Sequence, residues 1–261
     1  YMDEVERVLY NNVLTGVSLS GDKYTYQNPL NTDKPDRWEW HVCPCCPPMF
    51  LKIMAAMPSY IYAYQGDNVY VNLFIGSEVR VPVGKSNSVR LKQLTSYPWH
   101  GALSIQVNPD KASTFSMKVR IPGWAQGTEN PYDLYQSNLK APVKLKVNQE
   151  DVLLRIVDGY AEINREWKKG DHIELELPMQ PRLITANKAV ENLRGQVALA
   201  SGPIIYCFED ADNPELQTFK LQAQTPLELS HDSNLLNGVN IIKCQGDIPA
   251  KAIPYLSLIH I

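Results

Sequence analysis

The sequence predicts a mainly β protein in which two helices precede a long series of strands. From Tyr60 onward, short segments rich in Val, Ile, Leu and Tyr recur, and Gly, Asn, Asp and Pro separate them. Asp158-Gly159 lies between two such segments and favours a hairpin turn. Short strands at regular spacing with turn residues between them are typical of a β-sandwich.

The predicted strands fall into two stretches. In residues 60–190 we expect a β-sandwich domain with strands at Val69–Ile75, Val79–Val83, Val89–Leu94, Leu103–Val107, Phe115–Ile121, Val152–Val157, Tyr160–Ile163 and His172–Leu177. In residues 191–261 we expect a further, truncated β-rich region with strands at Gln196–Phe208, Phe219–Ala223 and Val239–Cys244 and loops at Asp212–Gln217 and Ser230–Asn237. Residues 256–261 have no turn chemistry and do not continue this pattern, which raises the hypothesis of a sequencing artefact there.

Two helices are predicted before residue 60. The apolar stripe of the first, residues 3–17, comprises Val5, Val8, Leu9 and Val13. On the same helix, Glu6 and Arg7 are predicted to be salt-bridging residues of the surface. The second helix covers residues 47–57 and is stopped by Pro58. Two helices cannot enclose a core alone, so residues 1–59 are interpreted as the last part of a larger helical domain.

The bulk composition excludes some classes of function. The chain has 261 residues, 44% of them hydrophobic, and a formal net charge of −3. Nucleic-acid-binding domains are usually basic, so phosphate-backbone binding is not expected. No apolar run approaches the roughly 18 residues that a membrane-spanning helix needs. We therefore expect neither a nucleic-acid partner nor a membrane span.

The segment with the most reactive side chains is His41–Phe50, which holds three of the five cysteines at Cys43, Cys45 and Cys46. A disulfide between adjacent cysteines is strained, so thiolates this close indicate a soft metal, usually zinc, or an activated nucleophile. Two prolines follow, and proline suits the first position of a helix. Unpaired amides and the positive end of the helix dipole there would lower the pKa of a thiol.

Each candidate side chain near the cysteines also has a purely structural interpretation. A structural zinc site, with Cys43 as a further ligand, is the alternative to a catalytic one. His41 is a ligand, a hydrogen-bond partner of the cysteines, or neither. Four aromatic rings precede the cysteines and either stack on a ligand or fill the core; they are Tyr24, Tyr26, Trp38 and Trp40.

An ordered set of motifs runs along nearly the whole chain. The set comprises Glu6-Arg7-Val8-Leu9-Tyr10-Asn11, Tyr24–Leu30, Cys45-Cys46-Pro47-Pro48, Tyr97-Pro98-Trp99, Arg120-Ile121-Pro122-Gly123-Trp124, Gly159–Trp167 and Gly195–Cys207. In this order the motifs resemble the β-L-arabinofuranosidase family, glycoside hydrolase family 127 and its close relatives, as far as about Tyr255. The Cys-Cys-Pro-Pro element is the most specific part of the likeness.

The resemblance implies an (α/α)6 helical barrel that carries the active site, followed by β-sandwich domains. Residues 1–59 would then be the C-terminal remnant of a truncated barrel. It further implies a zinc ion, with Cys45 as nucleophile and metal ligand and Cys46 as a second ligand. The family's remaining ligands, in a Glu-x-Cys element, and its acid/base Glu belong upstream, and this sequence contains neither.

Other positions of the site follow from the same resemblance. Tyr26 and Asn28 are implied as substrate-binding residues, because their strand ends near the cysteine loop in the family. Cys43 and His41 are placed beside the metal ligands. Met49 stands where many members have Asn, and Cys43 is an additional cysteine. Because of these two departures, the resemblance implies the type of reaction rather than the exact sugar.

The sequence therefore predicts part of a zinc-dependent glycoside hydrolase that removes β-L-arabinofuranosyl or similar residues from plant glycans. The alternative is a non-catalytic β-sandwich module that binds carbohydrate or supports a neighbouring domain. A carbohydrate is the expected partner in both cases. The resemblance alone implies a periplasmic or extracellular location. The chain by itself is expected to be inactive, because it lacks the acid/base Glu.

Overall fold

The computed structural model describes residues 1–18, 20–26, 37–40 and 45–255. The helices are α1 (Met2–Val8), α2 (Pro47–Ala56) and α3 (Pro58–Ile61), with a π-helical turn at Leu9–Val13 and 3₁₀ turns at Leu14–Gly16, Gly123–Gln126, Pro131–Asp133 and Glu191–Leu193. The first strands are β1 (Lys23–Tyr24), β2 (Trp38–Glu39), β3 (Tyr62–Gln65), β4 (Asn68–Val71), β5 (Ser77–Val83), β6 (Asn87–Thr95), β7 (Ala102–Pro109), β8 (Ser113–Arg120), β9 (Tyr135–Ser137) and β10 (Lys144–Val147). The later strands are β11 (Glu150–Asp151), β12 (Ile156–Val157), β13 (Tyr160–Trp167), β14 (Asp171–Glu176), β15 (Arg182–Ala186), β16 (Val197–Ser201), β17 (Ile204–Cys207), β18 (Leu227–Asp232), β19 (Val239–Cys244) and β20 (Ala250–Pro254).

Two sheets pack face to face in the middle of the chain. One has six strands in the order β11-β10-β14-β7-β6-β5, and the other has five in the order β12-β13-β8-β4-β3. Neighbouring strands pair antiparallel except β4 and β8, which run parallel. Apolar side chains alternate along the strands, as in β7, so that one face of each sheet is buried.

The core lies between these two sheets. Its fully buried large side chains include Trp167, Phe115, Met117, Leu91, Ile105 and Ile173. The Trp167 indole donates a hydrogen bond to the Phe115 carbonyl at 3.0 Å, which satisfies its one polar atom inside the core. The predicted mainly β fold is confirmed, because the described residues between Val69 and Leu177 contain no helix beyond two short 3₁₀ turns.

A third sheet follows, with seven strands in the order β18-β19-β20-β17-β16-β15-β9. Strands β9 and β15 come from within residues 60–190, yet they pair with strands formed by residues 191–261. Two details of the prediction are wrong here. Residues 219–223 form no strand, and β18 covers part of the segment 230–237 that was predicted as a loop.

The first helical segment is as long as predicted and continues from α1 through the π-helical turn to Gly16. Three of the four residues of its predicted apolar stripe pack in or against the core, namely Val5, Leu9 and Val13. Val8 is the exception, with 47% of its side chain exposed. Among the described residues, no helix combines the length and apolar character needed to cross a membrane.

Candidate active site

The two adjacent cysteines lie at the start of helix α2. Cys46 is the residue that precedes the first helical turn, and Pro47 and Pro48 begin the helix. The Cys45 and Cys46 sulfur atoms are 3.9 Å apart, too far for a bond between them, and both side chains are exposed. The two side chains therefore share one space at the helix N-terminus.

The amides at this terminus do not act as the sequence suggests. Pro47 and Pro48 have no N–H, and the Met49 amide donates to the Cys46 carbonyl at 2.9 Å. The prediction that unpaired amides lower the pKa of a thiol here is therefore wrong for the first three helical positions. The helix dipole remains as a source of positive potential.

An aromatic cluster covers one side of Cys45. We use this term for the four rings of Tyr24, Tyr26, Trp38 and Trp40. Their edge-to-face contacts have centroid distances of 5.2 Å (Tyr24–Tyr26 and Tyr26–Trp38) and 5.8 Å (Tyr24–Trp40). Tyr24 is buried, whereas Trp38 and Trp40 are about half exposed, at 51% and 49%. Two rings of the cluster thus carry solvent-exposed surface.

Tyr26 connects the aromatic cluster to the cysteine pair. Its hydroxyl oxygen lies 3.3 Å from Cys45 Sγ. The hydrogen bond with Cys45 raises the pKa of the Tyr26 phenol, and either atom of the pair can be the donor while both are protonated. The structure thus places the predicted substrate-binding residue Tyr26 against the predicted nucleophile.

The end of the first helical segment holds both strands that carry the aromatic cluster. The Thr15 carbonyl accepts a hydrogen bond from the Arg37 guanidinium at 2.7 Å, directly before β2. The Gly16 carbonyl accepts one from the Thr25 amide at 3.0 Å, directly after β1. Tyr24 and Trp38 are opposite each other in the β1–β2 pair.

Helix α1 in turn is fixed by a buried carboxylate, which corrects the prediction that Glu6 is a surface residue. Glu6 is 1% exposed and forms an ion pair with the equally buried Arg120 of β8. It also accepts hydrogen bonds from the Tyr97 hydroxyl at 2.7 Å and the Trp124 indole at 3.2 Å. Burial alone lowers the pKa of the Arg120 guanidinium, but the Glu6 and Asp3 carboxylates raise it.

The neighbours of Glu6 in its motif also bind the β-sheets. Asn11 donates to the Pro203 carbonyl at 2.8 Å and accepts from the Ile205 amide at 2.7 Å. Arg7 donates to the Glu129 carbonyl. The motif from Glu6 to Asn11 therefore attaches the helical segment to the sandwich and to the third sheet.

Sequence reasoning missed Glu6, Asn11 and Arg37 as residues that build the site. A signal was present for the first, because Glu6 and Arg120 both belong to the ordered motifs and carry opposite charges. Gly123, in the same motif as Arg120, lets the backbone approach Thr128 and Asp3 closely. A Cβ there would lie 2.6 Å from the Thr128 carbonyl oxygen and 2.9 Å from an Asp3 carboxylate oxygen.

Three predicted site residues lie outside the described residues. They are Asn28, predicted to bind substrate, and Cys43 and His41, predicted beside the metal ligands.

The geometry of the cysteine pair suits a zinc ion. Two thiolates at the Zn–S distance of about 2.3 Å and the tetrahedral angle have sulfurs about 3.8 Å apart. Cys45 and Cys46 are at 3.9 Å. Among the described residues, no group of three or more His, Cys, Asp or Glu side chains is close enough to hold a metal. The pair would hold two of the four positions of a tetrahedral zinc site.

Sequence comparison defines the class of protein to which this fold and site belong. Three domain models match successive parts of the chain. They are "Beta-L-arabinofuranosidase, GH127 catalytic domain" at residues 1–59, "Beta-L-arabinofuranosidase, GH127 middle domain" at 68–179 and "Glycoside hydrolase family 127 C-terminal domain" at 181–260. The chain belongs to glycoside hydrolase family 127.

Individual relatives agree with this placement. A non-reducing end β-L-arabinofuranosidase from Bifidobacterium longum is 30% identical over 273 residues, which cover 96% of this chain and 38% of the relative. A solved GH127 β-arabinofuranosidase is 36% identical with a TM-score of 0.93, and the match covers 100% of this chain and 44% of that structure. The GH127 β-L-arabinofuranosidase from Geobacillus stearothermophilus T6 is 33% identical with a TM-score of 0.87, and the match covers 98% of this chain and 44% of that structure. The chain thus spans about two fifths of the length of these proteins.

Proposed function

We propose that the protein containing this chain hydrolyses β-L-arabinofuranosides, with Cys45 as the nucleophile and zinc bound at Cys45 and Cys46. The observation that carries the proposal is the pair of exposed thiols 3.9 Å apart at a helix N-terminus, in a chain of family 127. Relatives described as β-L-arabinofuranosidases support the choice of sugar.

The proposed reaction has two steps. The Cys45 thiolate attacks the anomeric carbon, a C–S bond forms, and the glycosidic C–O bond breaks as its oxygen takes a proton from a carboxylic acid. Water then attacks the same carbon while the carboxylate takes its proton, the C–S bond breaks, and the thiolate and the carboxylic acid are both restored. Zinc, when bound, supplies positive charge that keeps the thiols deprotonated.

Residues of the described site have distinct parts in this scheme. The Tyr26 hydroxyl donates to Cys45 and so orients the sulfur. The half-exposed rings of Trp38 and Trp40 provide flat apolar surface for the sugar. The acid/base carboxylate is assigned to the part of the protein that this chain does not contain.

The test is an assay of the full-length protein on an aryl β-L-arabinofuranoside, with zinc and a reductant present. Hydrolysis, together with a mass increase of one arabinosyl residue on the peptide that contains Cys45 after rapid acid quenching, would support the proposal. Full-length protein that binds arabinofuranosides without turnover would instead indicate a non-catalytic carbohydrate-binding module.

A further inference from the structure

We propose that Glu6 is a positioning residue for the candidate nucleophile. Through helix α1, it fixes the end of the helical segment that holds the Tyr26 ring against Cys45. The inference rests on the proposed function, because it concerns how the β-sheets contribute to the same site. It assigns the β-sheets a part in catalysis that is exerted through helix α1.

Glu6 is a strong anchor for helix α1. The Glu6 carboxylate is surrounded by three donors, from Tyr97, Arg120 and Trp124, and it has no exposure to solvent beyond 1%. A buried carboxylate with these partners has one favourable orientation, because any displacement leaves a charge unpaired. Asp3 adds a contact to Arg120 at 2.6 Å. The N-terminal turns of the helical segment are therefore fixed relative to β8.

The helical segment links this anchor to the candidate site. The helical segment runs without interruption from α1 through the π-helical turn to Gly16. Its last two carbonyls, of Thr15 and Gly16, hold Arg37 and Thr25, which flank the two strands of the aromatic cluster. A shift at Glu6 is thus passed along a rigid helix to both strands at once. The Tyr26 hydroxyl, 3.3 Å from Cys45 Sγ, lies at the end of this path.

The chemistry at Cys45 depends on this geometry. A thiolate that attacks carbon must keep one lone pair directed at the sugar, and errors of about 1 Å in such alignments can cost roughly 100-fold in rate. The cost appears in kcat rather than in KM when substrate binding is preserved. A residue that only stabilises the fold would lower the melting temperature without this signature.

The experiment compares three variants in the full-length protein. Glu6→Gln removes the charge while keeping the size of the side chain, and Tyr97→Phe removes one of the Glu6 hydrogen bonds with little change in packing. Gln93→Leu is the matched control. Gln93 is equally buried, but its amide donates to the Tyr62 hydroxyl and the Leu73 carbonyl, both within the sandwich.

Two readouts are used on each variant. The first is kcat and KM on the aryl arabinofuranoside, where Glu6→Gln is expected to lose about 10- to 100-fold in kcat with KM nearly unchanged. The second is the rate at which iodoacetamide alkylates Cys45 in chelator-treated protein, followed by peptide mass spectrometry. This rate is expected to rise several-fold in Glu6→Gln and less in Tyr97→Phe, because Tyr26 no longer shields the sulfur. Gln93→Leu should lower the melting temperature and leave both readouts unchanged.

The inference is overturned if Glu6→Gln and Tyr97→Phe, compared as folded proteins, match Gln93→Leu in kcat and in alkylation. Failure of the proposed function looks different. If the wild-type protein hydrolyses no arabinofuranoside, that proposal falls, and the alkylation rates still decide whether Glu6 positions Cys45.

Discussion

The Tyr26 hydroxyl lies 3.3 Å from Cys45 Sγ, although the two side chains belong to separate elements. Tyr26 follows β1, and Cys45 precedes helix α2. The contact joins the aromatic cluster to the cysteine pair. It makes the orientation of the sulfur dependent on how the β1–β2 pair is held.

The first prediction concerns this contact. Tyr26→Phe is expected to lower kcat about 10-fold or more, because a hydrogen bond to a charged group contributes about 1.5–3 kcal/mol. The full-length protein is assayed on an aryl β-L-arabinofuranoside. Tyr64→Phe is the control, since Tyr64 is an exposed tyrosine of β3. A Tyr26→Phe enzyme with the kcat of the control would show that the hydroxyl takes no part in turnover.

The second prediction separates the two adjacent thiols. Cys45→Ser is expected to abolish nearly all turnover while sugar binding persists, since serine is a far weaker nucleophile without a base. Cys46→Ser is expected to lower zinc affinity and turnover together, because it removes a ligand but not the nucleophile.

Cys207→Ser provides the control for the thiol variants. Cys207 lies in β17, where its thiol contacts the Ile253 carbonyl at 3.7 Å, far along the chain from the site. Its loss should leave kcat and zinc content unchanged, with binding measured by calorimetry and zinc by atomic absorption. Full activity in Cys45→Ser would contradict the assignment of the nucleophile.

The third prediction compares the 261-residue chain with the full-length protein. The chain alone is expected to hydrolyse no arabinofuranoside, because cleavage needs a proton donor opposite the nucleophile. It is also expected to bind zinc more weakly, since only two ligands are present among the described residues. Cys45 should then oxidise as an ordinary thiol. Turnover by the chain alone would mean that its own residues supply the acid.

The sandwich could be predicted from the sequence because the residue pattern that specifies each strand lies within that strand. In β7, alternate residues are buried, and the same alternation is visible in the sequence. Strand β18 was missed because Ser230 and Asp232 are common in loops. There, pairing with β19 decided the structure rather than local preference.

The support of the site could not be predicted in the same way. Glu6 is buried by Tyr97, Arg120 and Trp124, which are about a hundred residues away in the sequence. The residue pattern of the helix itself does not reveal these distant partners. A charged residue on a helix is therefore predicted to lie on the surface. The position of Cys45 and Cys46 at the start of a helix could be predicted, in contrast, because both residues lie in one short motif with two prolines, while the roles assigned to them and to Tyr26 stay predictions.

The fourth prediction is a loss of stability at alkaline pH that involves the buried thiols. Burial raises the pKa of Cys244 from 9.0 to about 11, and burial and Glu209 raise that of Cys207 to about 12. A raised pKa means that the folded state keeps the proton after the unfolded chain has lost it. The contribution to stability is therefore fully present below pH 9 and is lost as the pH rises to about 11.

Urea unfolding of the chain at a series of pH values between 8 and about 11 measures this effect. Each thiol adds at most about 1.4 kcal/mol per pH unit to the slope. Cys244→Ala should give a shallower decline than wild type, while buried tyrosines titrate equally in both proteins. Parallel curves for the two proteins would show that this thiol titrates normally.

The fifth prediction concerns the second buried ion pair, between Glu129 and Arg182. Two hydrogen bonds join them, Nε to Oε1 at 2.7 Å and Nη2 to Oε2 at 3.1 Å, and the side chains are 5% and 3% exposed. Arg182 also donates to the Gly202 carbonyl at 2.7 Å, and its guanidinium lies 5.2 Å from the centre of the Trp124 ring. The pair therefore ties the third sheet to the residues that hold Glu6.

Removing one partner of such a pair leaves a buried charge without compensation, whereas removing both does not. Glu129→Leu and Arg182→Met are each expected to lower the free energy of unfolding by about 3–5 kcal/mol. The double variant should lose less than the sum of the two, and urea unfolding of all four proteins measures the difference. Lys144 and Glu176, which form an exposed pair at 3.2 Å, provide the control, where Glu176→Gln should cost less than about 1 kcal/mol. A loss of that small size for Glu129→Leu would mean that solvent reaches the Arg182 guanidinium, and that the third sheet is attached to the sandwich by packing alone.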